Sequence, residues 1–115
     1  MPGHAQRAPL IELRTLKNFL RTASLGSISR AALELRVAQP ALSRQLRQLE
    51  AEIGAALFVR TGRGVVLTEA GEHLRQDLTV VIQKLDDALI RAGSDNATPT
   101  GEVMMGALPN LGAKF

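Results

Sequence analysis

Apolar residues along this chain recur first at helical spacing, then in a short extended run, then at helical spacing again. Leu13, Leu16, Phe19, Leu20 and Ala23 return every three or four positions, which predicts a helix from Leu13 to about Ser24. Gly26 follows it, the residue type suited to a left-handed C-terminal turn. Ser27 can cap a second helix, Ile28 to Leu35, with Ala31, Ala32 and Leu35 as its inward face. Small alanines there let another helix approach closely. Arg36-Val37-Ala38 reads as a turn with Val37 tucked inward. A third helix starts near Gln39, with Pro40 in its first turn, where a missing N–H costs nothing. Its apolar stripe is Leu42, Leu46, Leu49 and Ile53, and Gly54 terminates it.

The opposite face of the third helix collects Pro40, Ser43, Arg44, Arg47, Gln48 and Ala51. Its cations lie in the first half, and the acids Glu50 and Glu52 in the second. A helix entering a DNA groove by its N-terminal end needs that gradient; the reverse would repel phosphate. Two short helices joined by a tight turn, the second polar on its free face, point to a helix-turn-helix over residues 28–47.

The run from Ala55 to Leu67 predicts a β-hairpin, with strands Leu57 to Arg60 and Val65 to Leu67. Thr61-Gly-Arg-Gly64 is its turn, and the two glycines are expected to supply positive φ angles. Arg63 is thereby held at the tip of a basic wing. Thr68 caps a long helix running to about Ala92, with Glu69 and Glu72 favouring its N-terminal dipole. Leu74, Leu78, Val81, Leu85, Ala88 and Ala92 alternate spacings of four and three, a heptad seam that predicts a partner helix and a homodimer, the alternative being packing against its own domain. Residues 92–101 have linker composition, and Glu102 to Pro109 reads as one strand with nothing to pair with. The expected organisation is an N-terminal arm (1–10), a winged helix-turn-helix (11–68), a linker and dimerisation helix (69–92) and a hinge with one strand (93–115). The fold class is mainly α: three helices, a two-stranded wing and a long helix.

Composition narrows the function. Of 115 residues 45% are hydrophobic, a globular content rather than a disordered one. No cysteine is present, which removes disulfides and thiolate metal sites. No apolar run approaches the ~20 residues that cross a bilayer, and the start lacks a signal-peptide core. The expectation is a cytoplasmic protein without a membrane partner. The net charge of +3 is uneven: ten Lys/Arg against four acids through Thr68 leave +6, and four against seven from Glu69 onward leave −3. The basic excess sits with the helix-turn-helix, where a phosphate footprint is required. His73 among Glu69, Glu72 and Asp77 reads as solvated surface rather than a metal or base site, and Asp86-Asp87 likewise. Gly62-Arg-Gly64 is too short to cradle a phosphate. No catalytic residue, metal site or cofactor is expected, and no enzyme.

Four ordered motifs carry a family resemblance: Ser27-x-Ser-x-Ala-Ala-x-x-Leu, Val37-x-Gln-Pro-Ala-Leu-Ser-Arg-Gln-Leu-x-x-Leu-Glu50, Gly54-x-x-Leu-Phe-x-Arg-Thr61 and Leu67-Thr-Glu-Ala-Gly71. Together they resemble the LysR-type transcriptional regulators of bacteria, from Leu13 to about Ala92. The resemblance implies a winged helix-turn-helix, a linker helix pairing antiparallel in a dimer, and tetramers made through a C-terminal effector-binding domain. Members are normally much longer. The stretch from Gly101 to Pro109 resembles the first strand of that effector domain, so the chain reads as an excerpt, a fragment or a truncated gene product. Without that domain, higher oligomers are not expected, and a small-molecule inducer is expected only for a full-length protein.

By the same resemblance, DNA contacts carry over to Gln39, Pro40, Ser43 and Arg44, and to Arg63 in the wing. Arg60 matches a family arginine with a structural or phosphate role. One departure is Ala38, where the family usually has Ser or Thr; losing that side-chain cap costs ~1 kcal/mol. From the residues themselves, Arg44 can reach guanine O6 and N7 or touch phosphate alone, and Gln39 can bond adenine or phosphate or simply cap the helix. Ser43 and Arg47 suit phosphate, and Arg63 suits a narrow A·T-rich minor groove, the alternative being a solvated turn arginine. The reading is a sequence-specific regulator binding an inverted-repeat operator in double-stranded DNA as a dimer, nucleoid-associated when bound. The alternative is a truncated interaction protein that pairs through the long helix with a full-length regulator.

Overall fold

A computed structural model describes residues 10–95. The expectations for the N-terminal arm and for the linker and strand beyond residue 95 lie outside the described residues. In chain order the elements are α1 (Leu13–Leu25), α2 (Ile28–Leu35), α3 (Gln39–Ile53), β1 (Phe58–Thr61), β2 (Gly64–Leu67) and α4 (Glu69–Asp95). The chain divides into two units inside α4, between Leu78 and Thr79.

The first unit holds a core made by all three short helices and the wing. Phe19 of α1, Ala31 and Ala32 of α2, and Leu42, Leu46 and Leu49 of α3 are at most 3% exposed. Leu57, Val65 and Leu78 join the same cluster. Each buried leucine contributes ~1.5–3 kcal/mol relative to leaving it in water. Phe58 reaches α1 from the wing base, its ring tilted 55° against that of Phe19 at 5.4 Å between centroids. Two polar residues enter the core with their partners. The Thr22 hydroxyl donates to the Asn18 carbonyl at 2.8 Å, and the Asn18 amide donates to Gln45 Oε1 of α3, also at 2.8 Å.

The helix ends follow local chemistry. Gly26 and Gly54 take left-handed conformations after α1 and α3. Ser27 Oγ accepts the Arg30 N–H at 3.1 Å, capping α2. Arg36 ends α2 in a left-handed conformation (φ 61°), where a Cβ costs ~1–2 kcal/mol. The Val37 N–H donates back to the Ala32 carbonyl at 3.0 Å, which turns the chain outward. Val37 is therefore 42% exposed rather than tucked inward. Ala38 gives α3 no side-chain cap, as its methyl group dictates.

The wing is an antiparallel pair with Phe58 opposite Leu67 and Thr61 opposite Gly64. Of the two turn glycines only Gly64 has a positive φ. It serves a second purpose: a Cβ there would lie 2.1 Å from the Gly26 carbonyl oxygen. That carbonyl accepts the Val65 N–H at 3.0 Å, locking β2 onto the α1–α2 turn. Gly71 plays the same part at the start of α4, where a Cβ would sit 2.2 Å from the Leu57 carbonyl oxygen.

In the second unit, residues 79–95 continue α4 past the expected end at Ala92. Ile82 and Asp86, four apart on one face, are buried at 8% and 9% exposure. Asp86 is thus not the solvated carboxylate expected, whereas Asp87 is exposed. Val80, Val81, Leu89 and Ile90 are 44–57% exposed. No helix among the described residues is long and apolar enough to cross a membrane.

Candidate nucleic-acid interface

The polar face of α3 follows from its buried one. Leu42, Leu46 and Leu49 fix one side of the helix against the core, so residues half a turn away must face solvent. Gln39, Pro40, Arg44, Arg47, Gln48 and Ala51 are all exposed. Ser43 is the exception. It lies one turn before Leu46, at the shoulder of the stripe, and is only 9% exposed. Its small side chain is covered rather than offered, a correction to its placement on the free face.

Both wing arginines, Arg60 and Arg63, are exposed. The turn that carries Arg63 is held by Thr61, whose Oγ accepts the Arg63 N–H at 3.1 Å and donates to the Gly64 carbonyl at 3.3 Å. The outward face of the hairpin also presents Val59 and Val66, which stand opposite each other in the register. Arg60 stands opposite the buried Val65, one pair from the turn rather than at the wing base, which Phe58 and Leu67 form.

Sequence reasoning passes over the residues that set these groups in place. Glu50 counts there only as part of a charge gradient. Its carboxylate accepts the N–H groups of Leu57 and Phe58 at 2.7 and 3.2 Å, joining α3 to the wing. Thr68 is expected to act as a cap, and its Oγ does accept the Gly71 N–H at 3.0 Å. It also donates to the Ala56 carbonyl at 2.7 Å, binding the start of α4 to the wing. The signal for both is present in the motifs ending at Glu50 and Gly71, but spacing alone assigns them no partner.

Charge pairing elsewhere supports the scaffold. The Arg21 guanidinium of α1 donates through two nitrogens to Glu34 of α2, and these hydrogen bonds hold the Glu34 carboxyl below its usual range. The Arg75 side chain does the same for Glu72 within α4. Among the described residues no group of His, Asp and Glu is arranged to hold a metal ion.

The expected dimer seam divides in the structure. Leu78 is buried in the domain's own core and Leu74 is packed against it. Val81, Ala88 and Ala92 are exposed and Leu85 is half-buried.

Residues 13–72 match the model of the lysR family of bacterial regulatory helix-turn-helix proteins. The chain is 37% identical over 103 residues to the nitrogen assimilation regulatory protein nac of Klebsiella aerogenes, covering 90% of this chain and 34% of that protein. It is 53% identical over 64 residues to the RuBisCO operon transcriptional regulator of Allochromatium vinosum, covering 56% of this chain and 21% of that one. The chain spans about a third of the length of several curated relatives it matches, the Klebsiella aerogenes protein among them. Among solved structures, the BenM DNA-binding domain in complex with catB site 1 DNA superposes with a TM-score of 0.73 at 31% identity, over 77% of this chain and 99% of that one. The CbnR DNA-binding domain–DNA complex gives 0.70 at 34% identity, over 74% and 98%. With its fold, its motifs and these relatives in agreement, the chain belongs to the LysR family of transcriptional regulators and carries that family's winged helix-turn-helix domain.

Proposed function

We propose that this chain binds duplex DNA sequence-specifically, as a pair of protomers, with α3 in the major groove and the wing beside it. The observation that carries the reading is the division of α3: leucines 1–3% exposed on one side, Gln39, Pro40, Arg44 and Arg47 in solvent on the other. Domains of this fold solved on DNA, BenM and CbnR, support it. Arg44, one turn into α3, reads guanine through O6 and N7. Gln39 bonds adenine or phosphate at the helix start, and Arg47, deeper along the same face, takes phosphate. Arg63 enters a narrow minor groove, and Arg60 supports the wing or a phosphate. Pro40 packs at the DNA surface; Ser43, being covered, supports the helix rather than the contact.

Pairing uses the exposed Val81, Ala88 and Ala92 of α4 with the half-buried Leu85 and the exposed Leu89 beside them, while Leu74 and Leu78 serve the domain's own core. A two-fold pair predicts an inverted repeat with half-sites ~34 Å or a multiple apart. Such a regulator works on the chromosome, in the bacterial cytoplasm. The interaction-protein alternative has no observation favouring it over this one.

Selection of bound duplexes from a random pool tests the proposal. The protein should enrich an inverted repeat, with affinity falling steeply as salt rises. Arg44→Ala should retain salt-dependent binding and lose base preference. Enrichment of the same motif by Arg44→Ala would remove the base-reading role, and no enrichment by the parent protein would remove the function.

A further inference from the structure

Four backbone N–H groups of the α3–β1 connection converge on Glu50. Its carbonyl oxygen accepts Gly54 N–H at 2.7 Å and Ala55 N–H at 3.2 Å. Its carboxylate oxygen Oε2 accepts Leu57 N–H at 2.7 Å and Phe58 N–H at 3.2 Å. A glutamate at the end of α3 therefore dictates the path of the whole segment between the two DNA-facing elements. The segment it grips is fixed again from the other side, because the Leu57 carbonyl accepts the Thr68 N–H at 2.9 Å and the Ala56 carbonyl accepts the Thr68 hydroxyl. Bonds from amides to a charged carboxylate are among the stronger hydrogen bonds a protein makes.

We propose that Glu50 is a positioning residue of the DNA interface, a clamp that sets the wing carrying Arg63 relative to the face of α3 carrying Arg44. The assignment rests on the DNA-binding reading above. It explains why an acid is kept on a helix whose task is to approach phosphate: its carboxylate is occupied by backbone N–H groups. Charge alone makes the opposite forecast, since removing an acid near DNA should tighten binding. The clamp account has Glu50→Ala weaken binding. It also has Glu50→Gln preserve binding, because one amide oxygen can accept the same two N–H groups that Oε2 accepts.

The test is a double-mutant cycle on the selected duplex, with Arg63→Ala as the second change, below the unfolding temperature of every variant. Arg63→Ala should cost about tenfold in affinity in the parent protein and less than about threefold in Glu50→Ala, a coupling of the size found between residues of one network. Equal losses in the two backgrounds, or tighter binding by Glu50→Ala, overturn the proposal. Should Glu50→Ala fail to fold, Glu50→Asp carries the same cycle, with the charge kept and the reach one methylene shorter. Amide exchange separates the clamp from the function. Leu57 and Phe58 should be protected in the parent and in Glu50→Gln and exchange freely in Glu50→Ala, whether or not any duplex is enriched. Unchanged protection in Glu50→Ala contradicts the clamp itself.

Discussion

α3 and the outer half of α4 are both amphipathic helices, and they dispose of their apolar residues in opposite ways. In α3 the stripe Leu42, Leu46 and Leu49 is sealed in the core, so what remains free is polar and cationic. In α4 the residues Val80, Val81, Leu89 and Ile90 stay 44–57% exposed. The 15-residue α3 has its three leucines covered, whereas the 27-residue α4 buries Ile82 in its outer half and leaves these four residues in solvent. The first arrangement leaves a surface suited to phosphate and base edges. The second leaves one suited to another apolar helix.

The sharpest way to break this comparison is to truncate both helices alike. Leu49→Ala should cost ~2–5 kcal/mol in denaturant unfolding, because it empties a packed site. Leu89→Ala, at a dilution where protomers are separate, should stay within ~0.5 kcal/mol. Similar losses would mean that the outer half of α4 depends on its own chain for cover just as α3 does. A second contrast uses the wing glycines. Gly64→Ala places a Cβ against the Gly26 carbonyl and should lower stability by ~1–3 kcal/mol in thermal unfolding. Gly62→Ala meets nothing within 4 Å and should be close to neutral. A larger fall at Gly62 would show that the wing is not docked on the α1–α2 turn.

A third prediction concerns α4 alone. Val81→Lys with Leu89→Lys should weaken pairing at least about tenfold, ~1.4 kcal/mol, in sedimentation, while the circular dichroism spectrum stays unchanged. The smallest effect is a pH dependence. Glu34 and Glu72 have folded-state pKa values lowered by their arginine partners. Their contribution is present above the ordinary glutamate pKa of ~4.3 and is lost as the pH falls through the lowered folded values. Glu34→Gln should therefore narrow the difference in Tm between pH 6 and pH 3, and only slightly, since the pair is half-exposed.

What can be read from the sequence is whatever depends on neighbours one turn or one strand away. The periodicity of Leu42, Leu46 and Leu49, the caps at Ser27 and Thr68 and the left-handed Gly26 all belong to that class, and the structure contains each. What escapes depends on the packing of distant segments. Asn18 meets Gln45 across 27 residues, and Glu50 meets Phe58 only after the chain has reversed. Ser43 and Asp86 look solvent-facing by residue type, yet both are buried. Val37 looks apolar enough to bury, but the left-handed Arg36 before it sends it outward. Of the interface residues, the exposed arginines are legible because a helix with one buried face has a determinate other face. The wing's attachment is not, because hydrogen bonds to backbone leave no pattern of their own in residue type.

The central claim is that α3 is free to read DNA because its apolar face is spent inside, while α4 keeps apolar surface for a second copy. Sedimentation equilibrium of the protein with its enriched duplex tests both halves at once. The account predicts two protomers per duplex for the parent, and one at the same concentration for the chain carrying Val81→Lys and Leu89→Lys. A single protomer on the parent's duplex, or undiminished pairing by the lysine variant, would contradict it.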